Sequence, residues 1–74
     1  MSTPRRFPPP WTVEELDACF LVIDSTGQKL AYVYFEEESG RRSAGKLLSK
    51  DEAKRIAVNL ARLPELLMAQ PSWR

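Results

Sequence analysis

The sequence predicts a small α+β domain: an antiparallel sheet of three strands, with room for a fourth, followed by one C-terminal amphipathic helix packed on one face. Three observations carry that prediction. Two apolar runs rich in β-branched and aromatic residues flank Asp24-Ser25-Thr26-Gly27, which is the pattern of a hairpin. Ser49-Lys50-Asp51-Glu52 has capping-box spacing and opens an apolar stripe of helical period. The chain of 74 residues is 43% apolar and 28% charged with a net charge of +1, so it suits one soluble globular domain and not a disordered chain.

Residues 1–10 hold four prolines and read as an extended polyproline arm, with Trp11 anchoring it to a domain over 11–69. Thr12 to Leu16 has two readings. Thr12 and Glu15 could cap a short helix, but Trp11, Thr12 and Val13 favour a strand that turns through Asp17-Ala18, and the strand is preferred. Cys19 to Ile23 forms the next strand. Asp24 and Gly27 suit the first and fourth positions of a type I turn, with Gly27 left-handed in a G1 bulge, and Leu30 to Phe35 returns as the partner strand.

Glu36 to Arg42 reads as a second turn, with three acids leading in and two arginines leading out. Ser43 to Leu48 is the candidate fourth strand, weakened by Gly45. In the helix that starts at Ser49, Ala53, Ile56, Ala57, Leu60 and Leu63 make the apolar stripe, while Arg55, Asn59 and Arg62 lie opposite. Leu63-Pro64 should interrupt it, leaving a short turn from Pro64 to Ala69 and a tail over 70–74.

Composition narrows the chemistry. There is no histidine, which removes the commonest general base and metal ligand. Cys19 is the sole cysteine, so neither an intramolecular disulfide nor a Cys-rich zinc site can form; within its apolar run it reads as a buried, inert thiol suited to a reducing, cytoplasmic setting. Glu36-Glu37-Glu38 lacks the spacing of a cation loop, and Gly27, Gly40 and Gly45 form no phosphate-binding loop. No cofactor, no metal and no membrane span are expected, and the chain is read as non-enzymatic.

Three stretches together carry a resemblance: Arg5-Arg6-Phe7-Pro8-Pro9-Pro10-Trp11, Gly27-Gln28-Lys29-Leu30-Ala31-Tyr32-Val33-Tyr34, and Asp51-Glu52-Ala53-Lys54-Arg55-Ile56-Ala57 running on to Leu63-Pro64-Glu65-Leu66-Leu67. From Arg5 to Leu67 the chain resembles a family of short alphaproteobacterial proteins, of rhizobial type, that have no assigned activity. Relatives tend to carry a Pro-Gly-type turn where this chain has Asp17-Ala18, which favours the strand reading of Thr12 to Leu16. The resemblance implies a bacterial cytoplasmic origin and transfers no catalytic residue.

Two features point to binding. First, charge is split along the chain. Residues 11–40 hold Glu14, Glu15, Asp17, Asp24, Glu36, Glu37 and Glu38 against Lys29 alone, a net −6. Residues 41–64 hold Arg41, Arg42, Lys46, Lys50, Lys54, Arg55 and Arg62 against Asp51 and Glu52, a net +5. Arg41, Arg42, Lys54, Arg55 and Arg62 could therefore contact nucleic acid, but pairing of sheet acids with helix bases explains the split with less.

Second, the strands are apolar on both faces, and one helix covers only one of them. Burying about 500 Å² of extra apolar area contributes on the order of 12 kcal/mol before ordering costs, so the spare face should be covered. The arm could cover it. The preferred expectation is a homodimer or small protein partner, with Trp11, Phe20, Tyr32, Tyr34 and Phe35 as the interaction surface. The proline arm could instead occupy an aromatic groove of another protein, although packing on its own sheet, or on a second copy's, is favoured.

Overall fold

The computed structural model describes residues 7–68; the predicted tail and the first part of the predicted arm lie outside the described residues. Three strands form one antiparallel sheet in chain order: β1 (Thr12–Glu15), β2 (Cys19–Ile23) and β3 (Lys29–Tyr34). Three helices follow: α1 (Ser39–Gly45), α2 (Lys50–Ala61) and α3 (Leu63–Met68). The α+β class and the three strands agree with the sequence reading; the single C-terminal helix is corrected to three.

Both hairpins follow from their turns. At Asp17-Ala18, the Leu16 N–H donates to the Cys19 carbonyl at 2.8 Å, so a two-residue connection sets Glu14 opposite Leu21 and Thr12 opposite Ile23. Thr12 to Glu15 is thus strand, not helix. At the second hairpin the Gly27 N–H donates to the Asp24 carbonyl, and Gly27 has φ +93°, where any other residue would be strained. Leu30 is the extra residue in β3 where pairing shifts from Val22–Ala31 to Ile23–Lys29.

Asp24 holds that turn together. Its Oδ1 accepts from the Thr26 N–H at 2.8 Å, the Thr26 hydroxyl at 2.7 Å and the Gln28 N–H at 2.9 Å. Burial opposes ionisation of Asp24, but these hydrogen bonds outweigh it and hold its carboxyl below the ordinary value of 3.8. A depressed folded-state pKa contributes stability that is present above the ordinary value and lost as pH falls through the folded one. Asp24→Ala should therefore lower the melting temperature at neutral pH, and the gap from the wild type should close in strong acid. Thermal melts of both proteins across that range check it; a gap that persists in acid would show that the charge is not what holds the turn.

The segment from Glu36 to Leu48 departs from expectation. In place of a turn and an edge strand, residues 39–45 wind into α1. Ser43 to Lys46 contains no β-branched residue and no apolar alternation, so nothing there favours a ladder. Helix caps are available instead. The Glu38 carboxylate accepts from the Arg41 N–H at 2.8 Å, and beyond Gly45 the chain turns left-handed at Lys46, with the Leu47 N–H reaching the Arg42 carbonyl at 2.9 Å.

Ser49 caps α2 as read, in a reciprocal capping box with Glu52. Ala53 and Ala57 are fully buried, and their small side chains let α2 lie close on β2, flanked by β1 and β3. Phe20, Val22 and Val33 complete the core, with Trp11, Val13, Ala31, Phe35, Leu48 and Leu60 packed around it. Ile56, expected in the stripe, is 42% exposed, because contact along the Ala53–Ala57–Ala61 row leaves it on the flank. The helical path breaks at Arg62, one residue before the expected point, and α3 carries Pro64 in its first turn.

Candidate interaction surface

Register assigns every strand residue to a face. Val13, Glu15, Phe20, Val22, Ala31, Val33 and Phe35 face α2; Thr12, Glu14, Cys19, Leu21, Ile23, Tyr32 and Tyr34 face the other way. No described helix lies over this second face. Tyr32 and Tyr34 stand there 47% and 63% exposed, with their rings stacked at 6.2 Å between centroids and 17° between planes. Beside them, Leu21 and Cys19 are buried within the sheet, opposite Tyr32 and Tyr34 respectively. The result is an apolar floor with two preordered aromatic rings on it.

The five residues expected to form the surface therefore separate. Tyr32 and Tyr34 lie together on the open face. Phe20 does not belong to a surface: at 2% exposure it is the largest side chain of the core, where α2 covers it, so that expectation is corrected. Trp11 and Phe35 are half-buried on the helix side, Phe35 against Phe20 at 5.4 Å between ring centroids. Trp11 donates its indole N–H to the Phe7 carbonyl at 2.9 Å, and the Ser25 N–H donates to the Pro8 carbonyl at 3.1 Å. The described part of the arm thus follows the helix side: Phe7 and Trp11 line a concavity with Val22, Ala31 and Leu60.

The basic residues are dispersed over two helices and largely engaged. Arg41 pairs with Glu36 at 3.1 Å, and Arg42 donates to the Glu36 carbonyl at 3.2 Å. Arg55 pairs with Asp51 one helical turn away at 3.1 Å. Lys54 lies near enough to Glu15 to help hold that carboxyl down, and Arg62 lines a groove with Trp11, Val13, Val58 and Pro64. Lys50 joins helix to sheet: its ammonium sits 2.7 Å from Glu15, 3.8 Å from Glu37 and 5.8 Å from the centre of the Phe35 ring. The hydrogen bond between them lowers the pKa of Glu15 and raises that of Lys50. Arg41 and Lys50 thus pair the basic half of the chain with Glu15, Glu36 and Glu37 of the acidic half.

Stacked rings on a sheet also suit unpaired bases. Here Glu14 shares the face, and Asp17, Glu36, Glu37 and Glu38 follow at the end of the sheet, where a phosphate backbone would need cations. Among the described residues, no group of three or more Cys, Asp or Glu side chains is placed to hold a metal ion, and no helix is long and apolar enough to cross a membrane.

Glu14 is a member of the open face that the sequence reading did not single out, and Leu21, its register partner, lies buried beneath that face. The signal lies in the turns, since a two-residue connection at Asp17-Ala18 and a bulged three-residue turn after Asp24 give the parity of all three strands. Compared with known proteins, the chain matches no family model, no curated protein and no solved structure.

Proposed function

We propose that this chain is a small non-enzymatic protein-interaction module that associates with a second copy of itself through the sheet. The observation that carries this is the Tyr32–Tyr34 pair, stacked and exposed on the face opposite α2. Tyrosine suits the role because two rotatable angles place a large ring, so little entropy is lost on contact, and its hydroxyl tolerates water when the face is open. Small size adds a motive: a domain with one helix on three short strands gains apolar burial by pairing. The buried thiol of Cys19 agrees with a reducing, cytoplasmic setting.

Light scattering coupled to size exclusion, on the full chain over a range of concentrations, tests the proposal. The expected mass rises with concentration toward twice the chain's 8.5 kDa. A mass that stays at 8.5 kDa throughout would overturn it.

A further inference from the structure

The ladder shows which strand backbone groups point toward β2 and which point away from it. Hydrogen-bonded pairs alternate along an antiparallel ladder. The Phe35 N–H donates to the Ala18 carbonyl at 3.1 Å, so Ala31, Val33 and Phe35 direct their backbone groups toward β2. Those of Tyr32 and Tyr34 point outward, along the edge of the sheet. Glu36 has the same outward parity, and its N–H is taken by the Leu48 carbonyl at 2.9 Å, which closes the edge at that end. The two tyrosines thus present exposed rings on the open face and, along the edge, backbone groups that no described residue pairs.

The two edges of the sheet differ. β1 has four residues, follows Pro8-Pro9-Pro10, and ends on Glu14 and Glu15, the latter tied to Lys50. Short length, neighbouring proline and charge are the usual means of blunting an edge. β3 is longer, contains no proline, and has no charge between Lys29 and Glu36. Its ends carry opposite charge: Lys29 is exposed and makes no ion pair with a described residue, while Glu36, Glu37 and Glu38 follow the strand.

We infer that the second copy docks edge to edge, β3 against β3 in antiparallel orientation. This inference rests on the self-association proposed above. Antiparallel pairing brings Lys29 of each copy to the acidic end of its partner, whereas parallel pairing would set like charges together. The two-fold axis runs perpendicular to the sheet, so both α2 helices lie on one side. On the other side both tyrosine pairs join in a cluster of four rings. One six-stranded sheet, β1-β2-β3-β3-β2-β1, results, with the blunted β1 strands at its outer edges.

Amide hydrogen exchange on the full chain, below and above its association concentration, tests this. The Tyr32 and Tyr34 amides should slow by about tenfold or more on association while those of Val13 and Glu15 do not change. A chain that associates without slowing Tyr32 and Tyr34 would overturn edge docking and leave self-association standing. A chain that stays monomeric at every concentration would overturn both. Charge reversal tests the orientation: Lys29→Glu should weaken association several-fold, and adding Glu37→Lys should restore much of it. Failure of the second change to rescue the first would contradict the antiparallel arrangement.

Discussion

Phe20→Ala should cost about 3–5 kcal/mol, the usual loss for truncating a fully buried phenylalanine. Phe20 lies under α2 at the middle of the sheet, touching Phe35, with Val22, Val33, Ala53 and Ala57 around it. A domain of this size has roughly 5 kcal/mol to lose, so the variant should be largely unfolded or close to it. Tyr34→Ala, on the same sheet but facing out, should cost less than about 1 kcal/mol in the monomer. Urea denaturation followed by circular dichroism compares the two. Equal losses would mean that the two faces of the sheet are assigned the wrong way round.

Replacing Tyr32 and Tyr34 together with glutamate should weaken self-association by at least about 100-fold, on the order of 3 kcal/mol, because paired aromatic residues at the centre of an interface carry most of its binding energy. The two new carboxylates would also have to be desolvated, or face the partner's own, beside Glu14. The far-ultraviolet circular dichroism spectrum should stay that of the parent, since neither ring belongs to the core. Tyr32→Ser with Tyr34→Ser removes the rings without adding charge and should show a smaller effect of the same sign. Light scattering at matched concentrations reads both variants. Retention of wild-type association by the glutamate variant would exclude the tyrosine face as the interface.

Local signals made the sheet and the principal helix legible in the sequence. Asp24 and Gly27 dictate the second turn, and Ser49 with Glu52 starts α2, because each depends on chemistry within four residues. Residues 39–45 were misread because opposed charges at a bend and the two caps of a short helix use the same residue types. The acids and arginines expected at the bend do meet, as the Arg41–Glu36 pair, but Glu38 also accepts from the Arg41 backbone N–H and so starts a helix.

The surface was half legible. Aromatic residues in the strands were visible, but their division depends on which parity the helix covers. Composition holds that answer, since β3 places Tyr32 and Tyr34 on one parity and Ala31 and Val33 on the other, and hydroxyls keep to the wet side. Ile56 shows the limit of periodicity: a helical stripe marks a face, while the width of the sheet decides how much of that face is buried.

Chemical-shift mapping on dilution tests the central claim most directly. Amide spectra of the full chain, recorded from the associated to the dissociated range, should move at Tyr32 and Tyr34 and along the rest of β3. The exposed side of α2, including Lys54, Arg55 and Arg62, should stay fixed. Shifts confined to α2 and α3, with Tyr32 and Tyr34 unmoved, would contradict the assignment of β3 and its exposed tyrosines as the place where this protein meets its partner.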